Sequence, residues 1–233
     1  MLQIVRTVRR APAFATAVVL CWALGITAAA TTYSVADRYF FRPPAFVVRP
    51  ADVMKFHIQV HYRDRGPSVS TKFGYQQFLA IRAALKDVLV AAYETADQTA
   101  AFASEFTTLP VALVSSDYFR LLGVRPRAGV MLSARGSSSR GYGEAVISER
   151  VWRAVYGASD TALNATLRIQ ERSFRIIGIA PEGFTGGDLR AIDAWIPLEE
   201  NGDLIRGRSW RLQDAWWLSV IARTPSSNTE RIE

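Results

Sequence analysis

From Ala11 to Ala36 the chain has no charged residue, and the run is most apolar from Phe14 to Ile26. A bilayer core needs about 20 mostly apolar residues as helix, so this stretch predicts a membrane-spanning helix. Phe41-Arg42-Pro43-Pro44 ends it, because proline cannot continue a helix and restrains the residue before it. Beyond that point the pattern changes character. Val53 to Val60 (VMKFHIQV) alternates in part and is β-branched, which predicts a strand. Tyr62 to Thr71 holds Gly66-Pro67 and reads as a loop. Tyr75, Phe78, Leu79, Arg82, Leu85, Lys86 and Leu89 recur at helical spacing. Leu89 to Val114 reads as strands broken by turns, among them Ala101–Thr108 and Val111–Val114. Asp117 to Leu122 predicts a short helix, with Ser115 or Ser116 as N-cap and Gly123 as its stop.

Ser133 to Gly143 (SARGSSSRGYG) is the clearest flexible loop. A strand at Ala145–Ile147 and a helix from Ser148 to Tyr156, stopped by Gly157, follow it. Thr166–Ile169 and Phe174–Ile179 alternate as two strands joined across Gln170–Ser173. Gly183 to Asp188 is a second glycine-rich loop, and Ala194–Pro197 and Leu218–Ala222 read as closing strands. No tandem repeat is present. Strands outnumber helices and several neighbours read as antiparallel, so the expected class is mixed α+β, preceded by one membrane helix.

Charge sets the orientation. Arg6, Arg9 and Arg10 precede the apolar run with no acidic residue near them, whereas Asp37, Arg38 and Arg42 follow it in mixture. Basic flanks stay on the cytoplasmic side, so the amino terminus is expected inside and the body outside. A cleaved signal peptide is the competing reading, supported by the basic start and by Ala28-Ala29-Ala30 as an A-x-A site. The run is longer than the about 7–15 residues of a signal core, which favours a retained anchor. Net charge is +7 and pI about 9.9, yet residues 37–233 hold 25 basic against 21 acidic residues, a net +4. That mild balance calls for no polyanion partner and makes an anionic lipid surface a more natural neighbour than nucleic acid, which is not expected as a partner. Cys21, the one cysteine, lies in the apolar run, so no disulfide framework is available.

Chemistry-bearing patterns are few. His57 and His61 share a face, but no glutamate follows His57 and no third histidine exists; Asp64 or Glu94 would complete a metal site only if the fold happened to bring them there, so two surface or half-buried histidines are the expectation. Gly183–Asp188 lacks the Gly-Lys-Ser/Thr ending of a phosphate loop, and Ser148 has no G-x-S-x-G frame. The sequence therefore points to no catalytic, cofactor-binding or metal-binding residue. Arg206, Arg208, Trp210 and Arg211, with Trp216 and Trp217, can stack on bases (least favoured by the outside location), meet a partner or headgroups, or form a strand whose tryptophans face the core. Trp152 and Trp195 read as core aromatics. Arg125-Pro126 between Gly123 and Gly129 reads as a helix ending into a strand, with a hinged bend as the alternative.

Several segments together resemble MacB-like ABC transporter permeases. They are Arg6-Thr7-Val8-Arg9-Arg10-Ala11-Pro12-Ala13-Phe14 with Ala23-Leu24-Gly25-Ile26, then Phe41-Arg42-Pro43. Asp117 to Pro126 with Gly129 is similar to the family's YF…LGVRP..G signature. Ala145-Val146-Ile147-Ser148 with Trp152, Tyr156 and Gly157 follows, then Ile177 to Pro181 with Gly183-Phe184, and Trp195-Ile196-Pro197-Leu198. The chain departs from the pattern at Ser133–Arg140, where acidic residues are usual, and at Asn164, where glycine is usual. Family permeases also continue into three further membrane helices beyond the point where this chain stops at Glu233.

The resemblance implies a cytoplasmic basic stub at 1–10, a transmembrane helix at 11–36 and an extracytoplasmic MacB-like periplasmic core domain at 37–233. It implies a non-catalytic, single-pass subunit or fragment in the bacterial inner membrane, working in efflux or mechanotransmission. Its partners would be a separate cytoplasmic ATPase acting in trans, the bilayer and a second copy of the chain. Arg6, Arg9, Arg10 and Phe14 would face the inside partner, and Arg206, Arg208, Trp210 and Arg211 a partner or membrane outside. Two other readings stand beside it: an anchored lipid- or peptide-binding module, and a secreted metal-dependent hydrolase using His57 and His61.

Overall fold

The computed structural model describes residues 12–36, 47–62, 66–102, 105–133, 143–187, 190–212 and 215–224. The chain divides into two compact units, Met1–Pro43 and Pro44–Glu233. In the first, α1 (Pro12–Ala36) is one unbroken helix of 25 residues without an acidic or basic residue in its end turns. At 1.5 Å per residue it is about 37 Å long, enough to cross a hydrocarbon core. Thr16–Ser34 has a mean hydropathy of 1.5 and none of it is buried. The hydroxyls of Thr27, Thr31 and Thr32 donate back to the carbonyls of Ala23, Thr27 and Ala28, which satisfies them without water. Trp22 and Leu24 of α1 are 71% and 70% exposed.

The second unit is built on a nine-stranded mixed sheet. In chain order its strands and helices are β1 (Val53–Lys55), β2 (Ile58–Tyr62), β3 (Gly66–Ser70), α2 (Tyr75–Ala84), β4 (Leu89–Phe102), β5 (Glu105–Val114), α3 (Tyr118–Leu122) and β6 (Ala128–Gly129). There follow β7 (Gly143–Ile147), α4 (Glu149–Tyr156), β8 (Thr166–Ile169), β9 (Arg172–Ile179), β10 (Ala194–Pro197), α5 (Leu198–Asn201), α6 (Asp203–Arg206) and β11 (Ser219–Arg223). The sheet runs β1-β11-β4-β5-β10-β7-β9-β6, and β8 pairs with both β4 and β9. Six strands thus close a circuit, β4-β5-β10-β7-β9-β8 and back to β4. Closure removes edges and needs inward residues to alternate with outward ones. Leu109, Val111 and Leu113 of β5, Ala145 and Ile147 of β7, and Leu167 and Ile169 of β8 accordingly join one buried cluster.

The alternate residues form a second cluster on the other face of the sheet. Ala91 and Tyr93, Ala112 and Val114, Val146, Trp195 and Ile221 pack there against Tyr118, Phe119, Leu121 and Leu122 of α3. Strands buried on both faces read as continuous apolar runs, which is why β5, β7 and β10 are legible in the sequence. Two pairings are parallel, β5 with β10 and β7 with β9, so the sheet is mixed and not antiparallel throughout.

Several sequence expectations need correction. Tyr62–Thr71 is no loop throughout, because Gly66–Ser70 forms β3 and pairs with β2 in a two-stranded ribbon. Pro67 is tolerated because that ribbon has only two strands, both of them edges. The segment Val53–Val60 is two strands broken at Phe56-His57, β1 in the main sheet and β2 in the ribbon. The helical spacing read as far as Leu89 ends at Ala84, and Leu89 opens the 14-residue β4. Ser115 and Ser116 do not cap α3; the position falls to Asp117, which makes no side-chain cap bond. The Ser115 hydroxyl accepts instead from the Ala92 amide, and the Ser116 amide donates to Glu199.

Other boundaries agree with expectation. Ser148 caps α4 by accepting from the Val151 amide at 3.1 Å, and Gly123 and Gly157 end α3 and α4 with φ of 69° and 57°. Arg125-Pro126 leads from α3 into β6, the helix-to-strand reading. Most of the Ser133–Gly143 loop lies outside the described residues.

Candidate functional site

β1 and β11 are antiparallel neighbours with Val53 opposite Arg223. One strand begins where the other ends, so the segments before Val53 and after Arg223 leave the sheet side by side. The Thr224 amide donates to the Asp52 carbonyl at 3.1 Å. Arg223 binds this junction together. Its Nε donates to the Leu121 carbonyl, Nη1 to that of Arg49 at 3.4 Å and Nη2 to that of Val48. Asp52 lies 3.9 Å from the guanidinium, whose side chain is 18% exposed. Burial lowers its pKa and Asp52 opposes that, but a guanidinium stays charged at neutral pH. The planar fork suits several carbonyls at once, a geometry lysine cannot match.

α3 is the second component. Its last carbonyl, on Leu122, accepts from the Val48 amide at 3.0 Å. A Cβ on Gly123 would stand 2.9 Å from the Val48 side chain, so glycine is needed there for space as well as for its φ of 69°. From the same short helix, Tyr118 and Phe119 enter an aromatic cluster with Tyr93, Phe184 and Trp195. Ring centroids lie 5.5 Å apart for Tyr93–Tyr118, 6.0 Å for Phe119–Phe184 and 5.4 Å for Phe184–Trp195. The Tyr118 hydroxyl accepts from the Gly187 amide at 2.8 Å, and Tyr93 donates to the Gly187 carbonyl at 3.4 Å. Trp195 Nε1 is buried without a hydrogen-bond partner. Left unpaired, such a donor costs about 1–3 kcal/mol.

The basic and aromatic residues singled out in the sequence divide. Trp210 and Trp217 are core residues, with ring centroids 6.3 Å apart and Trp217 Nε1 donating to the Trp210 carbonyl at 3.2 Å. Trp210 packs on Gly202, where a Cβ would come within 2.3 Å of its ring. Arg211 stacks over Trp210 at 4.4 Å and donates to the Glu199 carbonyl. Arg206, Arg208 and Arg211 are exposed beside Leu212, and no carboxylate pairs with them among the described residues. Trp152 and Trp195 are buried, as read. Arg6, Arg9 and Arg10 lie outside the described residues, and Phe14 lies in α1.

His57 and His61 are exposed, His61 on the β2–β3 ribbon opposite Pro67. Glu94 pairs with Lys72, and among the described residues no group of three or more His, Cys, Asp or Glu could hold a metal. Two buried acids serve structure. Asp193 binds the Ser148 hydroxyl at 3.0 Å and pairs with Arg150; Glu149 pairs with Arg153 at 2.7 Å and Arg127 at 3.3 Å. Sequence reading missed the Arg223 junction altogether. Most of its acceptors are backbone carbonyls, which leave no trace in residue identity.

These features define a mixed α+β domain, preceded by one helix long and apolar enough to span a membrane, whose two flanks leave the sheet from one end. The sequence matches the MacB-like periplasmic core domain family over residues 15–232. The chain belongs to that family. Solved structures share the fold. The extracellular domain of the noncanonic ABC-type transporter YknZ from Gram-positive bacteria aligns at TM-score 0.55 and 13% identity, over 76% of this chain and 87% of that one. The periplasmic region of MacB from Actinobacillus actinomycetemcomitans gives 0.55 and 14%, over 77% and 79%. A domain of a permease protein from Porphyromonas gingivalis gives 0.53 and 18%, over 81% and 80%. No curated protein matches the chain.

Proposed function

We propose that the chain is a permease subunit, or part of one, that couples a separate cytoplasmic ATPase to an extracytoplasmic domain. In this reading residues 1–10 face the cytoplasm, 11–36 span the bacterial inner membrane and 37–233 form the outside domain, with a second copy of the chain as partner. Arg6, Arg9, Arg10 and Phe14 meet the ATPase, and work passes through α1 to the body for efflux or mechanotransmission. The carrying observation is the pairing of β1 with β11, which gives both flanks one origin on the body.

Alkaline phosphatase fused after Thr224 should be active in intact cells, and fused before Pro12 inactive; the reverse pattern overturns the topology. The purified chain in nanodiscs should hydrolyse no ATP, while adding its ABC ATPase should give turnover that the chain stimulates. Turnover by the chain alone overturns the division of labour.

One observation favours a binding role beside this. Arg206, Arg208 and Arg211 are exposed without carboxylate partners among the described residues, next to Leu212 at 62% exposure. Such a patch suits an anionic headgroup or an acidic peptide. Flotation of the body with vesicles containing phosphatidylglycerol, lost in the triple Arg→Gln variant, supports this role; no flotation removes the lipid arm.

A further inference from the structure

α3 is held at its two ends by different parts of the molecule. At its C-terminal end Leu121 accepts from Arg223, and Leu122 accepts from the Val48 amide. Both flanks of the body therefore grip the same turn of helix. Towards its N-terminal end Tyr118 binds the Gly187 amide, and Phe119 packs against Phe184. A five-residue helix is about 7.5 Å long and is too short to bend. A shift at Leu121 is therefore carried to Tyr118 and Phe119.

The Gly183–Gly187 loop has the marks of an element with a second arrangement. Gly183 and Gly186 sit at φ of 78° and 83°, where glycine moves at little cost. Beneath them Trp195 Nε1 lacks an acceptor, and a Cβ on Gly186 would stand 3.7 Å from it. A loop carbonyl turned towards that indole would satisfy it, so the present arrangement leaves a favourable bond unmade. Two tyrosine hydroxyls hold the loop at Gly187.

We propose that Arg223 is a positioning residue that couples the spacing of the two flanks, through α3, to the Gly183–Gly187 loop. The inference rests on the coupling function for its purpose, and it names the residue and the surface involved. Spreading or shearing the flanks draws Leu121 with Arg223, withdraws Tyr118 from Gly187 and frees the loop. The surface that changes is remote from the junction itself.

Hydrogen exchange on the whole chain in nanodiscs tests this without any ATPase, so its failure is separate from failure of the coupling function. Arg223→Gln should raise exchange at the Val48 and Gly187 amides by about tenfold or more, while the β4–β5 ladder keeps its protection. Arg223→Lys, charged but without the fork, should recover less than half of that effect. Arg120→Gln, which breaks only the surface pair with Asp117, should leave Gly187 unchanged. Unchanged exchange at Gly187, or equal loss of protection throughout the sheet, overturns the proposal. Should Arg223→Gln fail to fold, Tyr118→Phe reads the same link backwards. Coupling is reciprocal, so freeing Gly187 must also raise exchange at Val48. A Val48 amide that does not respond overturns the proposal equally.

Discussion

Trp195 and Trp217 are both fully buried, yet their indole nitrogens are placed differently. Trp217 Nε1 donates to the Trp210 carbonyl, whereas Trp195 Nε1 has no acceptor. Replacement by phenylalanine removes similar apolar volume at each site. At Trp217 it also orphans a carbonyl, and at Trp195 it relieves an unpaired donor. Trp195→Phe should therefore be the milder change by about 1 kcal/mol in urea denaturation, and an equal or larger loss at Trp195 refutes the reading. Glu144 offers a pH test. Burial raises its pKa, Arg175 at 3.8 Å opposes the rise, and Glu200 adds to it. An acid with a raised folded pKa binds more protons folded than unfolded, so stability falls as pH climbs from the ordinary glutamate value through the raised one. Glu144→Gln should gain in thermal midpoint over the parent across that window and show no gain below it. A gain that grows on acidification contradicts the burial argument.

Among elements, β6 and β9 make the narrowest contact. A Cβ on Gly129 would stand 2.2 Å from the Ile177 carbonyl, and one on Gly178 would stand 2.0 Å from the Val130 carbonyl. Gly129 also has φ of 71°, so it lacks both space and conformational tolerance for a side chain. Gly178→Ala or Gly129→Ala should each cost about 2 kcal/mol or more, whereas Gly25→Ala, inside α1 with nothing within 4 Å of its Cβ, should cost nothing. Equal midpoints for Gly178→Ala and the parent would count against the pairing. Both glycines stand in the sequence signatures, so their importance was legible while its cause, backbone against backbone, was not. The same holds for Tyr118 and Phe119, Phe184, and Trp195, from separate motifs in the sequence that converge on one cluster. β5, β7, β10 and the caps of α4 were readable because apolar runs and Ser/Gly punctuation are local signals. The β2–β3 ribbon was hidden by Gly66-Pro67, and parallel pairing across long separations leaves no local mark.

For the whole molecule, the decisive question is whether α1 stays with the body. Charge flanks and length favour a retained anchor, whereas Ala28-Ala29-Ala30 offers a cleavage site. Cys21 turns this into a measurement, because the chain's one cysteine lies within α1 and upstream of those alanines. Protein isolated from membranes should titrate one thiol per chain after denaturation if the helix is retained. Cleavage removes Cys21 and gives none. Depth is accessible through the same atom. Cys21 is exposed on α1, so in a membrane-spanning helix lipid is what shields it. A charged maleimide should fail to label it in intact membranes and succeed once detergent and denaturant remove the bilayer. Rapid labelling in sealed vesicles would mean that water reaches the middle of the helix, and α1 would then be no span at all. A retained and shielded Cys21 would place α1 in series between any cytoplasmic ATPase and the junction at Arg223, the arrangement that coupling requires.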